Sequence, residues 1–262
     1  WEDIRDAFLQ LCYDGVSFVT IHFTADLDLF SRANQIRKIP VTSRGGGMVL
    51  YDSRINNRTQ NIFRENIDEI ANIALKHNVV ISLGTTFRPG TILDACDSVH
   101  IEETLRQLSI CRLLQSKGVK VMVENIGHIT LDKIATHSKL LSKFNAPIMP
   151  LGPLPTDAAI NEDHIANAIG ATFAAYIGCA HIINCVTRYE HSKSAITQDV
   201  TIEAIRAAKV AAHIADLSRN INEANLYDTS ITNNRVKEHC CFADSNNCTR
   251  CSTVCPLKLT SI

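Results

Sequence analysis

The chain has 262 residues, 45% of them hydrophobic, with ten cysteines and a formal net charge of −1 at pH 7. That length and apolar content suit one large α/β domain or two small ones around a substantial core, and they exclude a disordered chain. The near-zero charge gives no footing to a nucleic-acid or anionic-membrane partner. No apolar run approaches the roughly 18 residues that a membrane span needs.

Residues 1–12 have a helical pattern, with Ile4, Phe8 and Leu11 on one face. The chain opens on Trp1 with no secretory pattern ahead of this helix, so a processed N-terminus or a longer parent protein is expected. SFVTIHF (17–23) is β-branched and aromatic and reads as a strand. A polar, Gly-rich stretch follows, including SRGGG at 43–47. A helix is expected over 62–77, a buried strand over 79–84, a helix over 101–117 and a strand over 120–127. A helix over 131–144 precedes the strand IMPLGPL (148–154), which runs into a Pro-punctuated loop. A helix over 162–176, the strand HIINCV (181–186) and a long helix over 199–218 complete the alternation. Residues 220–247 are rich in Asn, Asp and Ser and read as a flexible linker or loose arm.

Strands that alternate with helices argue for a parallel sheet with right-handed crossovers. A doubly wound sheet and a (β/α)8 barrel both fit. His22, Arg88, Glu124, His128 and His191 lie at or just past separate strand ends, which is where a barrel collects its reactive groups, whereas an open sheet gathers its ligand mainly at one switch point. The expectation is therefore α/β, a (β/α)8-type barrel of which the last five strands are present, over residues 1–219. Residues 220–262 would form a C-terminal helical or loop arm. Five strands leave an open edge, so a longer native product, or a truncated inactive copy, is expected.

Cys12, Cys96, Cys111, Cys179 and Cys185 sit singly in apolar segments and read as small core hydrophobes. Cys240, Cys241, Cys248, Cys251 and Cys255 crowd the C-terminal end. That asymmetry points to a local metal site in a reducing, cytoplasmic compartment. Cys248-Thr249-Arg250-Cys251-Ser252-Thr253-Val254-Cys255 could bring three thiolates onto one centre. Spacing alone serves equally a zinc site completed by His239, Cys240 or Cys241 and a [4Fe–4S] cluster with one open iron. His128 and His191, each just past a strand, could share a divalent metal; the plainer reading is two polar loop histidines. Ser43-Arg44-Gly45-Gly46-Gly47 offers amides, a hydroxyl and a guanidinium to a phosphate, or is merely a flexible turn. Arg88 is a second anion clamp or a surface ion pair. Glu124 is a substrate or metal contact or half of a buried ion pair. His22, taken alone, is more often a satisfied core histidine.

Taken in order, YDGVSFVTIH (13–22), VTSRGG (41–46), SLGTTFRPGTILDACD (82–97), VMVENIGHITLDKI (121–134), LGPLPTD (151–157), DHIANAIGA (163–171), CVTRYEH (185–191), KVAAHIADL (209–217) and CTRCSTVCPLK (248–258) resemble the phosphomethylpyrimidine synthase (ThiC) family. The resemblance spans nearly the whole chain apart from 220–247. It implies a non-standard radical S-adenosylmethionine (SAM) enzyme of thiamine biosynthesis, a lyase that rearranges 5-aminoimidazole ribotide into 4-amino-5-hydroxymethyl-2-methylpyrimidine phosphate. It implies Cys248, Cys251 and Cys255 as ligands of a [4Fe–4S] cluster that cleaves SAM, and His128 and His191 as ligands of zinc or a similar divalent metal. It also implies His22, Ser43, Arg44, Gly45, Thr85, Thr86, Phe87, Arg88 and Glu124 as substrate contacts. A homodimer, and an electron donor such as flavodoxin or ferredoxin, follow from the same resemblance.

The chain departs from the family pattern at several points. Glu124-Asn125-Ile126-Gly127-His128 replaces Glu-Gly-Pro-Gly-His, Thr85-Thr86-Phe87-Arg88 replaces Asp-Gly-Leu-Arg, and Met149 replaces a Tyr. The paralogous 5-hydroxybenzimidazole synthase, which uses the same ribotide, is therefore an alternative. So is a zinc-binding scaffold without catalysis. A metal-dependent aldolase or hydrolase would use the two histidines but leave the cysteine triad unexplained.

Overall fold

The computed structural model describes residues 1–192, 194–236, 251 and 254. The chain divides into two compact units, Trp1–Ala212 and His213–Ile262. In the first, helix α1 (Glu2–Tyr13) leads into β1 (Phe18–Ile21). Helices α2 (Leu27–Ile36), α3 (Arg44–Ile55), α4 (Ile62–Glu65) and α5 (Ile67–His77) separate β1 from β2 (Val80–Leu83). Helix α6 (Ser98–Ser116) leads to β3 (Val121–His128), α7 (Leu131–Leu141) to β4 (Ile148–Leu154), and α8 (Asp163–Tyr176) follows. All strand pairs are parallel, and the sheet order is β1-β2-β3-β4. Strands that neighbour one another in strict chain order leave no switch point, which is the arrangement of a barrel arc and not of a doubly wound sheet. The architecture is α/β, a partial barrel that does not close.

Local chemistry sets the helix starts. Asp97 accepts from His100 N to cap α6, Ser43 accepts from Gly46 N to cap α3, and Asn61 accepts from Phe63 N and Arg64 N to cap α4. Asn78, at φ 55°, ends α5 in the left-handed conformation that Asn tolerates. Ala25, Leu29, Ala33, Val49, Leu50, Phe87 and Val99 pack into one buried cluster that joins α2, α3 and the start of α6 to the loop after β2.

Four expectations are corrected. HIINCV does not form a fifth strand. Val123 N donates to Pro147 O, so the alternate residues Ile148 and Pro150 turn their backbone groups to the opposite edge. Pro150 has no N–H to offer there. The Ile148 N–H is taken by His181 Nδ1, Ile148 O accepts from both His181 N and Ile182 N, and Pro150 O accepts from Asn184 Nδ2. Two side-chain bonds and two backbone donors on the single carbonyl of Ile148 thus take the place of a regular ladder. SRGGG is no loop, because Ser43 caps α3 and the glycines lie in its first turn. The polar stretch after 219 is helical over α10 (Asn222–Val236). In the second unit His213 Nε2 pairs with Asp228 Oδ2 at 2.8 Å and its ring meets Tyr227 edge-on, so specific pairing supports a helix without an apolar stripe. Finally, Cys12, Cys111 and Cys179 are buried as expected, whereas Cys96 is half-buried and Cys185 exposed. The helix expected over 199–218 is present as α9 (Gln198–Ser218). Among the described residues, no helix is long and apolar enough to cross a membrane.

Candidate functional site

Strand β1 delivers His22 one residue past its end, and glycine backbones grip the ring. A Cβ on Gly45 or on Gly84 would approach the imidazole to 2.8 Å, and one on Gly46 would approach Thr86 Cγ2 to 2.5 Å, whereas Gly47 meets nothing. Two of the three consecutive glycines are therefore explained by close packing. His22 Nδ1 lies 3.2 Å from Thr86 Oγ1, and its Nε2 lies 3.4 Å from Ser43 Oγ. Burial, aided by the Arg88 charge, lowers His22 to about 4, so the ring is neutral at neutral pH.

Arg88 donates through Nη1 to Thr85 O at 2.8 Å, while its Nε is buried without a hydrogen-bond partner. Burial pushes this guanidinium below its ordinary value, and Glu124, Glu103 and Glu190 pull it back. A buried cation with an unused N–H is suited to receive an anion. On the facing strand, Glu124 Oε1 accepts from Thr20 Oγ1 at 2.7 Å and Ser82 Oγ at 3.1 Å. Oε2 has no hydrogen bond among the described residues. Three adjacent strands thus aim one carboxylate. Thr85 Oγ1 donates to the Glu124 carbonyl. Met149 sits beside Glu124 in register on β4.

Not every expected contact gathers here. Arg44 is exposed at the start of α3. The Phe87 ring belongs to the core cluster, and its backbone serves the scaffold, donating to Glu103 Oε2 and accepting from Arg37 Nη1. Cys248 and Cys255 lie outside the described residues, and Cys251 is half-buried and free.

The most specific geometry is at the histidine pair. His128 Nδ1 lies 2.7 Å from Asp157 Oδ1, and His191 Nδ1 lies 3.1 Å from Asp163 Oδ1. Each carboxylate fixes the proton of its ring on Nδ1, which leaves both lone pairs on Nε2. Those two Nε2 atoms face each other at 3.1 Å. Burial lowers His128 against the pull of Asp157, which keeps that ring neutral. Two opposed lone pairs repel unless a cation lies between them. At metal–nitrogen bonds of about 2.1 Å, a separation of 3.1 Å subtends about 95° at the ion. The donor set therefore fits a divalent metal, with Asp157 and Asp163 orienting the ligands as such sites require. A cavity of about 370 Å³, lined by Thr91, His128, Thr156, Asp157, Asp163 and His191 among others, leaves room for further ligands. The two aspartates were missed from sequence. The cue was available in the general need of a metal-bound imidazole for a carboxylate on its other nitrogen.

A second Cys/His group lies elsewhere in the same unit: Cys96, His100 and His137 each place one donor atom within 4.8 Å of the others.

A profile of the Radical SAM ThiC family matches residues 1–241. The chain is similar to proteins named phosphomethylpyrimidine synthase. It is 36% identical to that of Thermotoga petrophila over 225 residues, which is 85% of this chain and 53% of the relative. It is 38% identical to that of Desulfitobacterium hafniense over 227 residues, covering 86% and 52% of the two chains. It is 36% identical to that of Clostridium tetani over 236 residues, covering 88% and 50%. The chain spans about half the length of these relatives.

Proposed function

The chain belongs to the radical SAM ThiC family, and from that premise we propose that it carries the catalytic portion of a phosphomethylpyrimidine synthase, turning 5-aminoimidazole ribotide into 4-amino-5-hydroxymethyl-2-methylpyrimidine phosphate for thiamine biosynthesis. The observation that carries this reading is the facing Nε2 pair of His128 and His191, each backed by an aspartate. Two such lone pairs make sense as ligands of a zinc-like ion that would help hold the substrate.

A [4Fe–4S] cluster held by Cys248, Cys251 and Cys255, together with SAM, would supply the one-electron chemistry. The remaining work belongs to the barrel. The unpartnered Nε–H of Arg88 takes the ribotide's phosphate, with the Arg44 and Gly45 amides and the Ser43 hydroxyl proton at the start of α3 as further anion donors, the Gly46 and Gly47 amides being used within the helix cap. Glu124, aimed by Thr20 and Ser82, accepts from the substrate's polar hydrogens through Oε2. His22, neutral and positioned by Thr86 and Ser43, can accept a proton at one ring nitrogen while donating from the other. A cytoplasmic homodimer, reduced by a flavodoxin or ferredoxin, completes the reading.

Met149 favours a second reading. Its place beside Glu124 puts a thioether where relatives of the resembled pattern carry a phenol, which alters the pocket next to the reacting substrate. That change would suit 5-hydroxybenzimidazole synthesis from the same ribotide. Both readings are tested by anaerobic turnover after iron–sulfide reconstitution, with aminoimidazole ribotide, SAM and a strong reductant. Appearance of 5′-deoxyadenosine supports the radical reaction, and the mass of the co-product selects pyrimidine phosphate or hydroxybenzimidazole. An assembled cluster that yields no 5′-deoxyadenosine, on this chain and on one extended to the relatives' length, overturns both.

A further inference from the structure

Helix α6 turns a polar face inward. His100, Glu103, Thr104 and Gln107 are each 0% exposed on it, and a polar group taken out of water costs stability unless hydrogen bonds replace those it loses. Where those bonds go divides the face in two. His100, Thr104 and the Gln107 oxygen meet Asn125 on β3. Glu103 and the Gln107 amide nitrogen, one turn apart, reach instead to the end of β2 and the loop that follows it.

Glu103 holds two loops at once. Its Oε1 accepts from Thr24 Oγ1 at 2.7 Å and from Thr86 N at 2.6 Å, and its Oε2 accepts from Phe87 N at 2.8 Å. Thr24 lies just past His22 in the loop after β1. Thr86 places its Oγ1 3.2 Å from His22 Nδ1. Phe87 directly precedes Arg88, whose Nε is buried without a hydrogen-bond partner. A carboxylate that spans two consecutive amides fixes the peptide between them, and so fixes where the next side chain leaves the backbone. The far side of that segment is clamped as well. Phe87 O accepts from Arg37 Nη1 at 2.6 Å, and Arg37 is itself held by both oxygens of Asp97, at 2.7 and 2.8 Å.

Every bond that Glu103 accepts therefore ends within two residues of His22 or Arg88. Its length is what the geometry requires. An Asp there would draw the oxygens back by about 1.5 Å, one carbon–carbon bond, and carry the two amides out of hydrogen-bond range.

We propose that Glu103 is a positioning residue of the substrate pocket, which aims the Arg88 Nε–H at the substrate's anionic group and sets Thr86 beside His22 without touching substrate itself. This role rests on the reading of Arg88 as the anion clamp, and it extends the site to the buried face of α6. Charge is the smaller part of it: burial lowers the Arg88 guanidinium, and Glu124 offsets that more than Glu103 does.

Inorganic phosphate serves as the probe, titrated by calorimetry into the full chain at pH 8. Burial lifts Glu103 to about 7, so the carboxylate is ionised there. Glu103→Asp keeps the charge and changes its position. It should weaken phosphate binding about 10-fold, the worth of one hydrogen bond to a charged group, with an unchanged circular dichroism spectrum. In an Arg88→Lys background, which keeps the cation but lacks the oriented fork, the loss should shrink to about 2-fold or less, because Glu103 acts through that N–H. The ring nitrogen resonances of His22 should move in Glu103→Asp, since Thr86 shifts away from Nδ1. Should the Asp variant fail to fold, Glu103→Gln replaces it. That change sets an N–H against a backbone N–H and should weaken phosphate binding, although removal of a negative charge by itself strengthens it. Phosphate bound as tightly by the variants as by the parent, an equal loss in both Arg88 backgrounds, or unmoved His22 resonances overturns the proposal alone. A parent chain that binds no phosphate overturns the anion clamp and the proposal with it.

Discussion

Asn125→Ala is the substitution whose cost follows most directly from the structure. Asn125 is fully buried, as are His100, Thr104, Gln107 and His137 around it. Truncation orphans the Nε2–H groups of His100 and His137 and the Oε1 of Gln107. Thr104 keeps its bond to His100 O. Each orphaned buried group costs about 1–3 kcal/mol, and water entering the vacated space recovers part of that, so a loss of about 4 kcal/mol is expected. That is a large share of the roughly 5–15 kcal/mol that holds a domain folded. The same change frees Ile126, a β-branched residue held at φ +66° with its N–H bonded to Asn125 Oδ1, and so loosens the end of the strand that positions His128. Urea unfolding followed by circular dichroism should show a lower midpoint with an unchanged slope. A double-mutant cycle with His137→Ala should return a coupling above about 1 kcal/mol. A loss below about 1 kcal/mol, or strict additivity, would refute the network as an energetic unit.

Asp157→Ala should weaken metal binding at the histidine pair about 10–100-fold, because His128 loses the carboxylate that fixes its tautomer; calorimetric titration that finds unchanged affinity contradicts the site. Gly45→Ala forces the His22 ring out of its slot, so an NMR titration should find His22 rising from about 4 toward its ordinary 6.5; no movement would mean that the ring is not gripped there. Glu103, fully buried, accepts from Thr24 Oγ1, Thr86 N and Phe87 N, yet burial outweighs these and lifts it from 4.5 to about 7. Between those values the folded chain holds a proton that the unfolded chain has released. This group's stabilising contribution is therefore complete below 4.5 and is lost as pH rises through 7, by about 3 kcal/mol. Glu103→Gln should flatten the fall in unfolding free energy between pH 5 and pH 8, and identical pH slopes would exclude the raised value.

Much of the fold was legible because its causes are local. Runs such as FVTI and VISL act within a few residues, so four of the five expected strands and the helices α1, α5, α6, α7, α8 and α9 stand where composition and periodicity put them, whereas α2, α3 and α10 were not foreseen. Strand ends were readable only in part: His22 lies one residue past β1 and His128 ends β3, whereas Glu124 sits in the middle of β3, Arg88 lies in the loop five residues past β2, and His191 follows no strand among the described residues. What tertiary structure decided depends on partners distant in the chain. HIINCV has strand composition, but the edge it would join presents Pro150, and which edge Pro150 faces is fixed only by the β3–β4 register. The glycines after Arg44 looked like a phosphate loop, whereas Gly45 and Gly46 are small because His22 and Thr86 occupy the space beside them. Asp157 and Asp163 acquire meaning only when β4 and α8 bring them to His128 and His191. Likewise, Cys96, His100 and His137 are a cysteine and two helix histidines far apart in the chain until the fold brings them together beside Asn125. Hydrogen bonding and close packing are short-ranged in space but indifferent to separation along the chain, so local pattern placed four strands and the helices that alternate with them, while the tertiary fold decided the remaining elements and which side chains meet.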